Sequence, residues 1–351
     1  MKAIYHEDQG RHYPRHFLSS GARKANPEQP QRADALLAGA RAAGLSIEAP
    51  NDHGLAPIAS VHSPEYITFI KNIYQRWQRI EDASEEVIPN IHPDKRTVSY
   101  PRSAVGQAGY HIMDTSCPIS ADTFVSACAS ANSAVEAAVQ VLAGSSAAYA
   151  LCRPPGHHAF RDIAGGFCYF NNAAIAAQRF CAKGLRPVII DVDLHHGNGT
   201  QAIFYARDDV LTISVHADPI RYYPFFWGHA DERGEGAGMG YNLNLPIPRK
   251  TSDDGFLKAL DTGIERADTF AADVLIIALG LDAFEDDPFG GLNVTTNGFG
   301  KIGGRLKDLN LPTVIVQEGG YLCDALGDNL TSFLDGFNAT SDHPTLSHQL
   351  S

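Results

Sequence analysis

The strongest constraint on this chain is a short apolar, β-branched run, Pro187-Val188-Ile189-Ile190. It passes without a break into Asp191-Val192-Asp193-Leu194-His195-His196-Gly197-Asn198-Gly199. The run reads as a buried strand. Strand side chains alternate between faces, so Asp191, Asp193 and His195 are expected on one side at its carboxyl end. Two carboxylates and an imidazole so placed suit zinc or another first-row divalent metal better than calcium or magnesium, which favour oxygen alone. A polar strand end without a metal fits the same letters, and the rest of the chain has to decide.

That rest repeats one rhythm. Strands are expected at 2–5, 147–151, 187–192, 210–215, 273–279 and 312–316. Helices are expected at 31–43, from Ser63-Pro64 onward, and at 122–143, 172–183, 253–270 and 301–309. Apolar strands without clean alternation, separated by helices, indicate a parallel sheet covered on both faces. No linker-like shift in composition and no internal repeat occurs, so a single domain over residues 1–351 is expected. Between Glu81 and Pro118 the periodicity lapses among charges, prolines and aromatics, and a loop that long in a compact domain is usually functional.

Composition removes several function classes. A formal net charge of −12 argues against nucleic acid, because phosphate binding needs a basic surface. The six cysteines are scattered without a C-x-x-C pair, which fits reduced thiols in a cytoplasm. The first residues reach His6, Glu7 and Asp8 before any hydrophobic run, so no signal peptide is expected, and no stretch approaches a membrane span.

Four expected strands are followed by unusual polar sequences: Cys152-Arg153-Pro154-Pro155-Gly156-His157-His158, the Asp191–Asn198 stretch, Gly280-Leu281-Asp282, and Glu318-Gly319-Gly320-Tyr321. Ligands of open parallel sheets bind beyond the carboxyl ends of the strands. Any one of these segments alone fits a turn or a cap. Together, the R-P-P-G-H-H, D-V-D-x-H-H-G-N-G-T-Q, G-x-D and E-G-G-Y motifs make the chain similar to the zinc-dependent histone deacetylase superfamily. The likeness runs from about residue 2 to 337. The Gly228–Gly238 stretch and the long 81–118 segment resemble the bacterial acetylpolyamine amidohydrolase branch.

The resemblance implies an arginase-like α/β fold with a central, mostly parallel sheet of about eight strands. It implies one zinc ion on Asp193, His195 and Asp282, with His157 and His158 as tandem catalytic histidines. Asp191 would orient His157, Asn198 would orient His158, and Tyr321 would donate to the substrate carbonyl oxygen. Phe167, Tyr223, Gly166 and Phe289 would wall a substrate tunnel. One structural potassium ion would sit among Asp191, Asp193, His195, Ser214 and Val215, and a second near Phe204, Arg207, Val210 and Tyr241. The implied chemistry is metal-assisted amide hydrolysis of a small acylated amine, in a homodimer that uses residues 81–118.

Substrate charge is where the likeness thins. The branch is expected to line the tunnel mouth with carboxylates, yet those places fall on Val105, Ser116 and His16 or Phe17. Asp114 or Glu285-Asp286-Asp287 are the acidic alternatives, and a solvated acidic turn is the plainer reading of the latter. Three functions therefore stand: a deacetylase of acetylpolyamines or related amines, a protein lysine deacetylase, and a metal-binding regulatory protein on the same fold.

Overall fold

The computed structural model describes residues 1–93 and 98–339. Its strands are β1 (Lys2–Ile4), β2 (His16–Ser19), β3 (Ala22–Ala25), β4 (Ser46–Glu48), β5 (Ala147–Ala150), β6 (Pro187–Asp191), β7 (Leu211–Ala217), β8 (Asn242–Ile247), β9 (Val274–Leu279) and β10 (Thr313–Gln317). Eight of them form one sheet in the order β4-β1-β5-β10-β9-β6-β7-β8, and every pairing is parallel. β2 and β3 form a separate antiparallel hairpin. Lack of alternation in the strand sequences has a simple cause: both faces are buried. Ile189, Ile276, Ala278, Val314 and Val316 enter the core on one face. Val188, Ile190, Leu275, Ile277, Leu279 and Ile315 enter the core on the other.

The helices start where cap chemistry dictates. Ser63, Asn171 and Thr295 accept hydrogen bonds from the backbone N–H of Tyr66, Ala174 and Gly298, opening the helices Pro64–Trp77, Asn172–Cys181 and Thr296–Lys307. The Asp253–Phe270 helix has the expected bounds, and the Ala-rich helix spans Thr123–Leu142.

Several elements depart from the sequence expectation. β8 reads as polar, Asn-Leu-Asn-Leu, but Asn242 and Asn244 are buried and both donate to Gln201 Oε1, at 2.9 and 2.8 Å. β3 is exposed along its whole length, so no burial pattern marks it. The 81–118 segment is only partly a loop: it contains the helix Ala104–His111, capped by Ser103, and a bridge from Val87 to Ile119. Residues 94–97 of that segment, and 340–351 at the end of the chain, lie outside the described residues. Val105 sits on the Ala104–His111 helix and packs against the core, so within this chain it is not at a tunnel mouth.

A buried ionic group ties the N-terminal segment to the sheet. Glu28 Oε1 meets Arg32 Nη1 at 2.8 Å and Arg153 Nε at 2.9 Å, and all three side chains are fully buried. Arg153 also donates to the carbonyls of Gln9, His12 and Gln29. Arg32 reaches across to the backbone after β10, donating to the carbonyls of Glu318 and Gly320. Removing one partner of such a group strands the other charges away from water. Glu28→Ala should therefore cost about 3–5 kcal/mol of unfolding free energy, read by urea denaturation; a loss under about 1 kcal/mol would show that the arginines are satisfied by carbonyls alone.

Candidate active site and metal centre

β5, β10, β9 and β6 are neighbours in the centre of the sheet, so the four polar segments that follow them converge. Asp193 and His195 follow β6, Asp282 follows β9, Tyr321 follows β10, and His157 and His158 follow β5. The strand ends at Asp191, and this refines the expectation that Asp191, Asp193 and His195 share a strand face. Asp191 turns to His157, with Oδ2 2.9 Å from its Nδ1, and Oδ1 accepts from the Asp193 N–H at 3.0 Å. Asp191 stands outside the Asp193, His195 and Asp282 group, whose ligand atoms lie within 4.8 Å of one another.

The chemistry of that group fits a divalent cation. His195 Nδ1 lies 3.3 Å from Asp193 Oδ1 and 3.1 Å from Asp282 Oδ2. Tetrahedral ligands at 2.0–2.1 Å from zinc are separated by roughly 3.3 Å. Asp193 and Asp282 are both fully buried, and no lysine or arginine pairs with either among the described residues. Two adjacent desolvated carboxylates need a compensating positive charge. Backbone donors fix their orientation: Leu194 N–H to Asp282 Oδ1 at 2.9 Å, and Gly319 N–H to Asp193 Oδ2 at 2.8 Å. Gly280 and Gly319 allow this approach, because a Cβ at either would collide with these carboxylates. A second group, His157, Cys168 and Glu318, is also close enough to hold an ion. In it the thiol donates to the Gly166 carbonyl and Glu318 Oε2 accepts from the N–H groups of Gly156 and His157, while Glu318 Oε1 is buried without a hydrogen-bond partner among the described residues.

The tandem histidines have opposite electrostatics. Burial disfavours a charge on His157, but the carboxylates of Asp193 and Asp191 outweigh it and lift its pKa to about 10. His158 is pushed well below the ordinary histidine value by burial and by the nearby His157 and His195. Its Nδ1 lies 2.7 Å from Asn198 Oδ1. An amide oxygen only accepts, so Nδ1 carries the proton and Nε2 keeps its lone pair. Tyr321 is buried, and burial holds its phenol protonated. Its ring packs on Phe289 at 4.7 Å, with the Arg32 guanidinium carbon 4.9 Å from the ring centroid on a stacked approach.

A cavity of about 430 Å³ is lined by His158, His195 and Tyr321 together with Gly166, Phe167, Tyr223 and Phe289. All four residues expected to wall a tunnel are therefore brought to one space. Gly166 and Phe167 both have positive φ, 53° and 69°; this left-handed turn is uncommon for a phenylalanine. A Cβ at Gly166 would collide with the His158 ring. Of the proposed mouth positions, Phe17 and Ser116 line the cavity. His16 instead meets Arg23, Nδ1 to Nη2 at 2.9 Å.

Three contributors do work that the sequence did not assign to them. Asp114 joins two walls: its Oδ2 accepts from Tyr223 Oη at 2.8 Å and from the Gly166 N–H at 2.9 Å. Glu318 anchors the backbone of His157, and Arg32 props the segment that carries Tyr321. Glu318 was visible in the E-G-G-Y motif and Asp114 as a candidate acid, but nothing in the sequence marks Asp114 as a tie between two walls, or marks Arg32 at all. Asp287 is buried and accepts from the N–H groups of Phe289 and Tyr321, both at 2.9 Å. Glu285 and Asp286 are exposed, as a solvated turn would be.

Among the expected potassium-site residues, Asp191 of β6 and Ser214 of β7 are partners in register. Ser214 Oγ meets His216 Nδ1 at 2.8 Å, Arg207 stacks on Phe204 at 5.0 Å, and the Tyr241 carbonyl accepts from the Thr212 N–H. Val210 and Val215 are buried.

An all-parallel sheet with a buried Asp/His/Asp group and paired histidines at its central strand ends has the architecture of a deacetylase. The chain belongs to the histone deacetylase family, whose histone deacetylase domain matches residues 26–337. It is accordingly a deacetylase, a hydrolase, in a family that is typically zinc-dependent. It is 46% identical over 340 residues to an acetylpolyamine amidohydrolase of Burkholderia pseudomallei, covering 97% of this chain and 99% of that protein. It is 41% identical to acetylpolyamine amidohydrolase 2 of Pseudomonas aeruginosa, covering 96% and 98%. A crystal structure of the acetylpolyamine aminohydrolase from Burkholderia pseudomallei superposes with a TM-score of 0.94, covering 97% of this chain and 99% of that one.

The Asn198–His158 contact predicts how a charge there would act. Asn198→Asp places a carboxylate against Nδ1 and should raise the His158 pKa, because an adjacent negative charge favours the imidazolium. Histidine-ring NMR titration should show His158 neutral through the ordinary histidine range in the wild type and protonating at higher pH in the variant. An unchanged titration would mean that His157 and His195, rather than this partner, set its charge.

Proposed function

We propose that the chain is a zinc-dependent amidohydrolase that removes acetyl groups from acetylated amines, acetylpolyamines among them. The observation that carries this reading is the shared cavity. A neutral His158, a protonated Tyr321 and, from the Asp193, His195 and Asp282 group, His195 open onto one space walled by aromatic rings. The names of the relatives support acetylpolyamines as the substrate class. A protein lysine deacetylase is the second reading, and its substrate would have to present an acetyl-lysine to the same cavity.

Asp193, His195 and Asp282 would hold the metal, which when bound supplies a Lewis acid for the acyl carbonyl and lowers the pKa of attacking water. The remaining work falls to the chain. His158 Nε2 takes the proton of the attacking water. Tyr321 donates its hydroxyl hydrogen to the oxygen that becomes anionic as the acyl carbon turns tetrahedral. The C–N bond then breaks, a histidine returns a proton to the amine, and acetate leaves. His157, held cationic between Asp191 and Asp193, adds positive charge beside the developing anion. Phe167 and Tyr223 align a linear chain and exclude water from the sides.

We read the chain as one catalytic domain. Potassium would occupy the Asp191, Asp193, His195, Ser214, Val215 group and the Phe204, Arg207, Val210, Tyr241 group as a structural ion. Among the described residues no helix is long and apolar enough to cross a membrane. The six cysteines are all free, which supports a cytoplasmic setting. The 81–118 segment leaves Ile91, Val98 and Tyr100 exposed, and we read this apolar surface as the contact of a homodimer.

Tyr321→Phe should lower turnover on acetylputrescine by about 10²–10³ while metal content stays normal; near-native turnover would remove Tyr321 from the mechanism. Sedimentation should give a dimer at micromolar concentration, and a monomer there would contradict the role given to residues 81–118.

A further inference from the structure

Two loops that wall the reaction cavity are joined by one side chain. Gly166 and Phe167 form the tip of a tight turn closed by the antiparallel bridge from Gly165 to Cys168. Both have positive φ, as a two-residue hairpin turn of this kind requires. Tyr223 belongs to another loop, the one that follows β7. Asp114 lies on a third, and its Oδ2 accepts from both of the others, from the Gly166 N–H at 2.9 Å and the Tyr223 hydroxyl at 2.8 Å. Its Oδ1 accepts from the Ser116 N–H at 2.8 Å, which fixes the carboxylate itself. Among the described residues no lysine or arginine pairs with it, so what this carboxylate holds is local backbone and one tyrosine.

The walls so tied enclose His158. The Tyr223 ring stands edge-on to His158, with 4.9 Å between centroids and an interplanar angle of 88°. A Cβ on Gly166 would lie 2.3 Å from His158 Cδ2 and 3.0 Å from Tyr223 Cε1, so turn, tyrosine and histidine are in close contact. Phe167 continues the wall, packing on Phe289 and Tyr321 at 6.2 and 5.8 Å. An acetamide with its acyl group among His158, His195 and Tyr321 passes Phe167 and Tyr223 with the first carbons of its amine. An extra methyl in a well-packed wall is accommodated only by displacing a neighbour. Here that displacement means breaking a hydrogen bond to a carboxylate, which is stronger than a neutral one.

We propose that Asp114 sets the bore of this cavity and restricts the enzyme to acetamides whose nitrogen bears an unbranched methylene chain. The proposal rests on the deacetylase reading above. Acetylated polyamines have that shape, and so does the side chain of acetyl-lysine; an amine branched at the carbon next to nitrogen does not. Asp114 acts through Gly166 and Tyr223, and it is therefore a positioning residue.

The test uses the metal-loaded full chain and two substrates of equal charge: N-acetylputrescine, and its analogue with one methyl on the carbon that bears the acetamide. The wild type should favour the unbranched amide in kcat/KM by more than about tenfold, the scale of one misplaced methyl in a fitted pocket. Asp114→Ala releases both walls, and the ratio should fall by at least about fivefold. Tyr223→Phe removes the hydroxyl, keeps the ring, and should lower the ratio as well. Asp114→Asn keeps a carbonyl oxygen for Tyr223 and Gly166 and should hold the ratio near the wild-type value. A merely structural role would lower both rates together and leave the ratio unchanged. Each ratio is taken within one preparation, so partial unfolding cancels. A wild-type ratio in Asp114→Ala would overturn the proposal; where that variant does not fold, a wild-type ratio in Tyr223→Phe would do so. If neither amide is hydrolysed, the deacetylase reading itself fails; if both are hydrolysed at similar rates by the wild type, only the present inference does.

Discussion

Two buried carboxylates side by side, Asp193 and Asp282 with the His195 imidazole between them, are the constraint on which the rest of the structure depends. Left without a cation, Asp282 is driven toward its neutral form by desolvation and by Asp193, whereas Asp193 is kept ionised against its own desolvation by His157 and His195. The fold instead orients them. Backbone N–H groups of Leu194 and Gly319 take one oxygen of each, and glycines at 280 and 319 let the neighbouring strand ends close in. A site this dense in negative charge is stable only as a receptor for positive charge, which links the fold's energetics directly to its chemistry.

The same negative charge sets the surrounding titrations. It holds His157 protonated, and protonated His157 in turn depresses His158. Two adjacent residues of the same type thus acquire opposite roles, one a fixed cation and the other a base with a free Nε2. Pairs of titratable groups pushed apart by their environments are a signature of acid–base sites. Arg32 works from beneath, joining Glu28 to the backbone that presents Tyr321.

Much of this was legible from residue letters. The buried strands declared themselves through unbroken β-branched runs, and the polar segments stood at their carboxyl ends. The family resemblance supplied the fold and the assignment of Asp282 and Tyr321. What the letters could not carry was adjacency. β5, β10, β9 and β6 are neighbours in space but not in sequence order, and only the pairing registers bring the four segments together. Short or exposed strands were also missed: β4 has three residues, β3 has no buried face, and the buried asparagines of β8 look like surface. Asp114 is in sequence one of two acidic alternatives for substrate charge, and in the structure it is a tie between Tyr223 and Gly166. A side chain whose partners lie 52 and 109 positions away leaves no local trace.

The most direct measurement of the central claim is the thermal stability of metal-stripped protein as zinc is titrated, beside the same series for Asp193→Ala. Ligand that binds only the native state raises stability by about 2.7 kcal/mol at a hundredfold excess over Kd. The account expects the wild-type Tm to climb with zinc concentration, with one ion retained per chain, and the variant to respond weakly or not at all. A wild-type Tm indifferent to zinc, or an equal response in the variant, would contradict the assignment of these buried carboxylates to a cation.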